Sequence, residues 1–125
     1  MSEKSRSPHP NALPNFQNAE IPRQKLLNYL LDPLHKEGQH KARVFKAALD
    51  FDQSTWEELA QAIRAELPYY PAVAGSGGTW GKKYEVILPV TGKNSSAVDV
   101  LTVWIVRPET NFPTFVTALI VGERK

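Results

Sequence analysis

The sequence predicts an α+β fold, with three N-terminal helices packed on a three- to four-stranded antiparallel meander. Three observations carry that expectation. Apolar residues recur at helical spacing up to Leu67, β-branched and aromatic runs take over after Pro71, and short turn-forming segments separate those runs. A chain of 125 residues is long enough for one domain with its own core. Residues 1–12 (MSEKSRSPHPNA) are polar and punctuated by proline, and read as a flexible tail that leaves 13–125 as the single domain.

The elements follow in order. Leu13, Phe16 and Ile21, set around Pro14 and Pro22, predict an extended segment laid on the core. Pro22 suits the first turn of a helix running to about Leu31, with Leu26, Leu27, Leu30 and Leu31 as its apolar stripe and Pro33 just past its end. Leu34–His40 (LHKEGQH) is a polar loop centred on Gly38, and a second helix over Lys41–Leu49 carries Val44, Phe45, Ala48 and Leu49. The third helix starts at Ser54, where Ser-Thr-Trp-Glu fits a capping box ending at Glu57. It presents Trp56, Leu59, Ala60, Ile63 and Leu67 on one face and stops at Pro68. Gly75, Gly77, Gly78 and Gly81 read as a mobile linker, since the phosphate-loop ending Gly-Lys-Ser/Thr is missing. Strands are predicted over Lys82–Val90, Val98–Arg107 and Thr114–Val121, and their short connections imply antiparallel pairing. The middle one is apolar on both faces and is expected at the centre.

Composition excludes several chemistries. With no cysteine there are no disulfides, thiolate metal sites or cysteine nucleophiles. No run of 18 apolar residues and no apolar N-terminal segment occur, so neither a membrane span nor a signal peptide is expected, and a cytoplasmic location is. His35 and His40 lie five apart with few carboxylates nearby, so no metal and no other cofactor is expected. No Gly-x-Ser-x-Gly elbow is present.

The net charge of +2 hides a local pattern. Within 36–46, Lys36, Lys41, Arg43 and Lys46 face Glu37 alone; within 47–66, Asp50, Asp52, Glu57, Glu58 and Glu66 face Arg64 alone. One reading is two solvated helix faces, the other a basic anion-binding edge beside an acidic back. The candidate cluster is His35, His40, Lys41 and Arg43: imidazole can move a proton, and lysine and arginine can hold phosphate oxygens. Lys41 and Arg43 point about 200° apart on a helix, so one site holds both only if Lys41 lies in the loop or at the cap. On the strands Thr102, Trp104 and Thr117 stand out, with a purely structural role as the competing reading.

These residues also carry a resemblance. Leu13-Pro-Asn-Phe-Gln-Asn-Ala-Glu-Ile-Pro-Arg-Gln-Lys-Leu, Tyr29-Leu-Leu-Asp-Pro-Leu-His35, Gly38, Lys41-Ala-Arg-Val-Phe45, Thr91-Gly92, Thr102-Val-Trp104 and Val116-Thr-Ala118 resemble a bacterial family of small domains of unknown function. Asp32 stands where that family is expected to carry asparagine. The family occurs as stand-alone chains and as C-terminal tips of polymorphic toxins, and its helices-then-sheet order is similar to metal-independent ribonucleases such as barnase, colicin ribonuclease domains and RelE-type toxins. The resemblance points to His35, Lys41, Thr102 and Thr117 as the catalytic set. It implies a toxin-like ribonuclease in which the RNA 2′-hydroxyl attacks the adjacent phosphorus. His35 or His40 would move a proton, Lys41 with Arg43 would hold the phosphate, and Thr102 and Thr117 would position the substrate, with His40, Arg43 and Trp104 as binding residues. The implied partners are RNA and a small neutralising protein, as in toxin–antitoxin pairs, with no membrane. The alternative is a non-catalytic module that binds nucleic acid or protein, including an immunity or antitoxin-like role in which the acidic 47–66 surface makes the contact.

Overall fold

A computed structural model describes residues 6–123 of the chain. Helix α1 (Arg23–Lys25) runs directly into a π-helical turn, Leu26–Leu30. This differs from the single regular helix that the spacing predicts. The wide turn is closed by Leu31 N–H donating to the Leu26 carbonyl, 2.9 Å. It lets Leu26, Leu30 and Leu31 all reach the core and leaves Tyr29 half-buried at its edge. Helix α2 (Gln39–Leu49) buries Ala42, Phe45 and Leu49, and α3 (Trp56–Glu66) buries Leu59, Ala60 and Ile63.

The cap before α3 is not the predicted serine box. Asp52 takes that place ahead of a 3-10 turn, Gln53–Thr55: its Oδ1 accepts from Ser54 N–H (3.0 Å) and Ser54 Oγ (2.6 Å), and its own N–H donates to Thr55 Oγ1, 2.9 Å. The Ser54 hydroxyl, then Lys46, hold the Asp52 carboxyl down at about 2, against 3.8 for a free one. With the folded value below the unfolded one, this contribution is full above about pH 4 and lost as pH falls towards 2. The side chain is 41% exposed, so solvent screening limits it to less than about 1 kcal/mol. Asp52→Asn, which keeps a capping oxygen, is expected to lower stability by that amount at pH 7 and by progressively less as pH falls from about 4 through 2, as read by urea denaturation across that range.

Four strands form one antiparallel sheet in the order β1-β2-β3-β4: β1 (Ala72–Gly78), β2 (Gly81–Thr91), β3 (Ala97–Val106) and β4 (Pro113–Glu123). The glycine cluster expected as a mobile linker is instead β1 and the tight turn into β2, with Gly77 opposite Lys82 and Gly78 opposite Gly81. Its position explains the glycines: β1 is an edge strand with an irregular register between Ala74 and Gly77, and Gly81 turns the chain at φ 142°. The sheet is also wider than its four strands. Beyond β4, Glu20 forms a parallel bridge to Thr114, its N–H donating to the Pro113 carbonyl (2.9 Å) and its carbonyl accepting from Phe115 N–H, 2.8 Å. The helices therefore do not simply precede the sheet, because this segment before α1 joins it.

One sheet face, with Val86, Leu88, Val100, Trp104, Phe115 and Ala118, packs on Leu26, Leu30, Phe45, Leu49, Leu59 and Ile63. Thr102 and Trp104 belong to this core and have no exposed surface, 0% each. The Trp104 indole N–H donates to Thr102 Oγ1 (2.8 Å), which itself donates to the Val86 carbonyl, 2.8 Å. Both were candidates for substrate contact; their polar atoms are instead spent on each other inside the protein. Part of the expected tail is likewise tied down: Arg6 pairs with Glu66 at 3.0 Å, His9 N–H donates to the Pro68 carbonyl and Ala72 N–H to the Asn11 carbonyl, each 2.8 Å. Residues 1–5 of that tail lie outside the described residues. Among the described residues no helix is long and apolar enough to cross a membrane.

Candidate functional site

The loop between α1 and α2 is built around two close approaches. Asp32 Oδ1 accepts from Leu34 N–H, 2.9 Å, a turn that either aspartate or asparagine can make after the helix. At the other end, Gly38 lies so close to Tyr29 that a Cβ there would collide with the Tyr29 carbonyl. The α2 start is thereby pressed against the residue that lines the cleft. Gly38→Ala is expected to cost about 1–3 kcal/mol through that overlap, read as a fall in melting temperature. Between these two points the His35 Nδ1 accepts from Glu37 N–H and Gly38 N–H, both at 2.9 Å. The imidazole stands edge-on to the Tyr29 ring, centroids 5.1 Å apart and planes at 86°.

Lys41 lies within the first turn of α2 and reaches across to the sheet. Its ammonium donates to the Tyr29 hydroxyl and to Thr117 Oγ1, each at 3.1 Å, while Thr117 Oγ1 donates to the Tyr29 hydroxyl at 3.3 Å. Thr117 is free to join because β4 is bulged beside it. Val103 opposes Thr117 while the next residue, Trp104, opposes Phe115, so Val116 is the extra residue. The bulge keeps both Phe115 and Ala118 in the core and leaves Thr117 at the rim. An open cleft of about 400 Å³ runs past this triangle, lined by Lys25, Tyr29, His35, Glu37, Val116 and Thr117. The hydrogen bond from Thr117 pulls the Tyr29 phenol below its ordinary pKa; partial burial opposes this, and Lys41 and Lys25 reinforce it.

Three of the sequence-derived candidates thus meet: His35, Lys41 and Thr117, from a loop, a helix and a strand. The rest do not. Arg43 is exposed on the other face of α2, beside Leu31, Pro33, Lys46 and Asp52. Lys41 sits inside the helix rather than at its cap, so the angular separation holds and the two cations serve different surfaces. His40 is exposed and borders a separate depression with Lys41, Val44, Phe45, Leu119 and Ile120, so Lys41 lines this neighbouring depression while its ammonium reaches the Tyr29–Thr117 wall of the cleft. Thr102 and Trp104 are core, as described above. The basic run is also less basic than it reads, since Lys46 pairs with Asp50 (2.7 Å) and Asp52 (3.1 Å) from the acidic run that follows. Tyr29 and Lys25, which complete the cleft, were not among the candidates. Tyr29 lies within the Tyr29–His35 motif, and that was its one visible signal.

The fold and the cleft define a small α+β domain with a lysine–tyrosine–threonine triangle at the junction of helix, loop and bulged edge strand. A family described as a domain of unknown function (DUF6883) matches residues 12–122, and the chain belongs to it. No curated protein and no solved structure matches the chain.

Proposed function

We propose that the cleft is the active site of a toxin-like, metal-independent ribonuclease. The observation that carries this reading is an open cleft lined by His35, Tyr29 and Thr117, with the Lys41 ammonium hydrogen-bonded to the last two at its wall. Cleavage by the RNA's own 2′-hydroxyl requires charge to be neutralised on a phosphate, a proton to be removed, and the chain to be held in line. Lys25 supplies positive charge in the cleft lining and Lys41 supplies it at the cleft wall, where Thr117 fixes the position of its ammonium. With Nδ1 accepting two backbone N–H groups, His35 presents an Nε2–H donor to a phosphate oxygen.

The test is incubation of the purified protein with total RNA in excess EDTA. Fragments ending in a 2′,3′-cyclic phosphate are the expected product, and RNA left intact at high protein concentration would contradict the reading. Growth inhibition on expression, relieved by Lys41→Ala, is the corresponding cellular expectation.

A second reading, a non-catalytic binding module, is favoured by one observation. On the sheet face away from the helices, Ile87, Leu101 and Leu119 lie side by side in register, with Ile87 50% and Leu119 37% exposed. In that case RNA stays intact and Lys41→Ala changes nothing in the same assay.

A further inference from the structure

His35 stands in the cleft, but its hydrogen bonds give it a task other than moving a proton. Its Nδ1 lone pair is taken by the N–H groups of Glu37 and Gly38, so the single proton of the neutral ring sits on Nε2. Nε2 then has no lone pair to accept a proton, and Nδ1 can take one only by giving up both backbone bonds. The surroundings of Tyr29 are the reverse. The Lys41 ammonium and the Thr117 hydroxyl both donate to its oxygen, and Lys41 also donates to Thr117. Of the three polar atoms of the triangle, the phenol oxygen is the one that accepts from both of the others. Two donated hydrogen bonds, one from a cation, favour the phenolate.

We propose that Tyr29 is the proton-accepting catalytic residue of this cleft, acting on the 2′-hydroxyl of an RNA phosphodiester while His35 donates Nε2–H to a phosphate oxygen. This rests on the ribonuclease reading above. Tyr29 phenolate takes the 2′-hydroxyl proton, and the freed oxygen pair forms the O2′–P bond. The P–O5′ bond breaks, and its electron pair leaves on O5′, which takes a proton from water. The products are a 2′,3′-cyclic phosphate and a 5′-hydroxyl. Lys25, which lines the cleft, meets the charge that builds on the phosphate oxygens, and Lys41, bonded to Tyr29 and Thr117 at the cleft wall, adds its positive charge from behind them. The charged and titratable groups around Tyr29 are Lys25 on its own helix, Lys41 on α2, and His35 and Glu37 on the loop; β4 contributes only the neutral Thr117. Two lysines against one glutamate leave the phenol in a net positive setting, in line with its lowered pKa.

The test uses the full chain and a short RNA with one cleavage site, with kcat and KM followed from about pH 5 to about pH 9.5. Wild-type kcat is expected to rise with pH as Tyr29 loses its proton. Tyr29→Phe, which keeps the ring, should lower kcat by about 10²–10³-fold with little change in KM, and should abolish the rise. His35→Gln should lose about tenfold at most and keep the rise. A Tyr29→Phe protein that cleaves like wild type, with the same pH profile, overturns the assignment while the ribonuclease reading stands. A wild-type protein that cleaves no RNA overturns the reading itself. One measurement does not depend on the variant folding: in a phenolate absorbance titration of the wild-type chain, one of its four tyrosines should ionise ahead of the other three. Four ionising together contradicts the proposal.

Discussion

Trp104→Ala is expected to remove about 3–5 kcal/mol of folding free energy, a large share of what a domain of this size possesses. The indole is fully buried on the central strand, stacked edge-on against Phe115 with centroids 5.6 Å apart and planes at 78°. Truncation empties that space and takes away the donor that Thr102 accepts from. Thr102→Val is the gentler probe of the same pair. It keeps the side-chain volume but leaves the buried indole N–H without an acceptor, at a cost of about 1–3 kcal/mol. Urea denaturation measures both losses. For Thr102→Val, cleavage per folded molecule should equal wild type, because its hydroxyl is sealed from the cleft. Normal stability combined with lost cleavage would instead put Thr102 in contact with substrate.

Lys41→Ala is expected to lower the rate of RNA cleavage by about 10²–10³-fold, the scale for losing one charged group that stabilises a transition state. Its effect on folding should be about 1 kcal/mol or less, because Tyr29 and Thr117 remain hydrogen-bonded to each other when the ammonium goes. Rates and thermal melts on the same preparations separate the two effects. Arg43→Ala is the internal comparison, two residues away on the opposite face of α2, and should change the rate by less than about threefold. Equal losses from the two substitutions would show that general basicity matters rather than the Lys41 geometry.

Much of this architecture was legible in the sequence because it rests on periodicity. The leucine stripe before Pro33, the α3 face, the three long strands and most of the α2 face follow from apolar periodicity, while Val44, expected on the α2 face, is 47% exposed and Ala42 is buried in its place. What could not be read depends on local backbone irregularity or on contacts distant in sequence. The π-helical turn at Leu26–Leu30 and the bulge at Val116 leave no periodic trace, yet they set the positions of Tyr29 and Thr117. A glycine-rich stretch gives no strand signal because glycine has no side chain to alternate, and β1 forms only because β2 offers it an edge. Asp52 outcompeted the Ser54 box because its carboxylate reaches two donors of Ser54 at once.

The site was legible in half. His35 and Lys41 sit close enough in sequence for charge and motif to suggest a shared cleft. Thr117, Thr102 and Trp104 looked equivalent as strand residues, and the facing of the sheet separates them, with one at the rim and two in the core. Tyr29 reads as one more aromatic on an amphipathic helix. Its partners lie 12 and 88 residues away, so the chemistry around it exists only in the folded chain.

If the cleft beside the Tyr29–Lys41–Thr117 triangle breaks RNA through the substrate's own 2′-hydroxyl, removing that hydroxyl must stop the reaction. The most direct measurement is cleavage, in EDTA, of a short RNA against the same RNA carrying one 2′-deoxynucleotide immediately 5′ to the scissile phosphate. The all-ribo strand is expected to be cut, and the deoxy substitution to abolish cutting at that phosphate alone. Undiminished cutting beside the deoxynucleotide, or an all-ribo strand that stays whole, would contradict it.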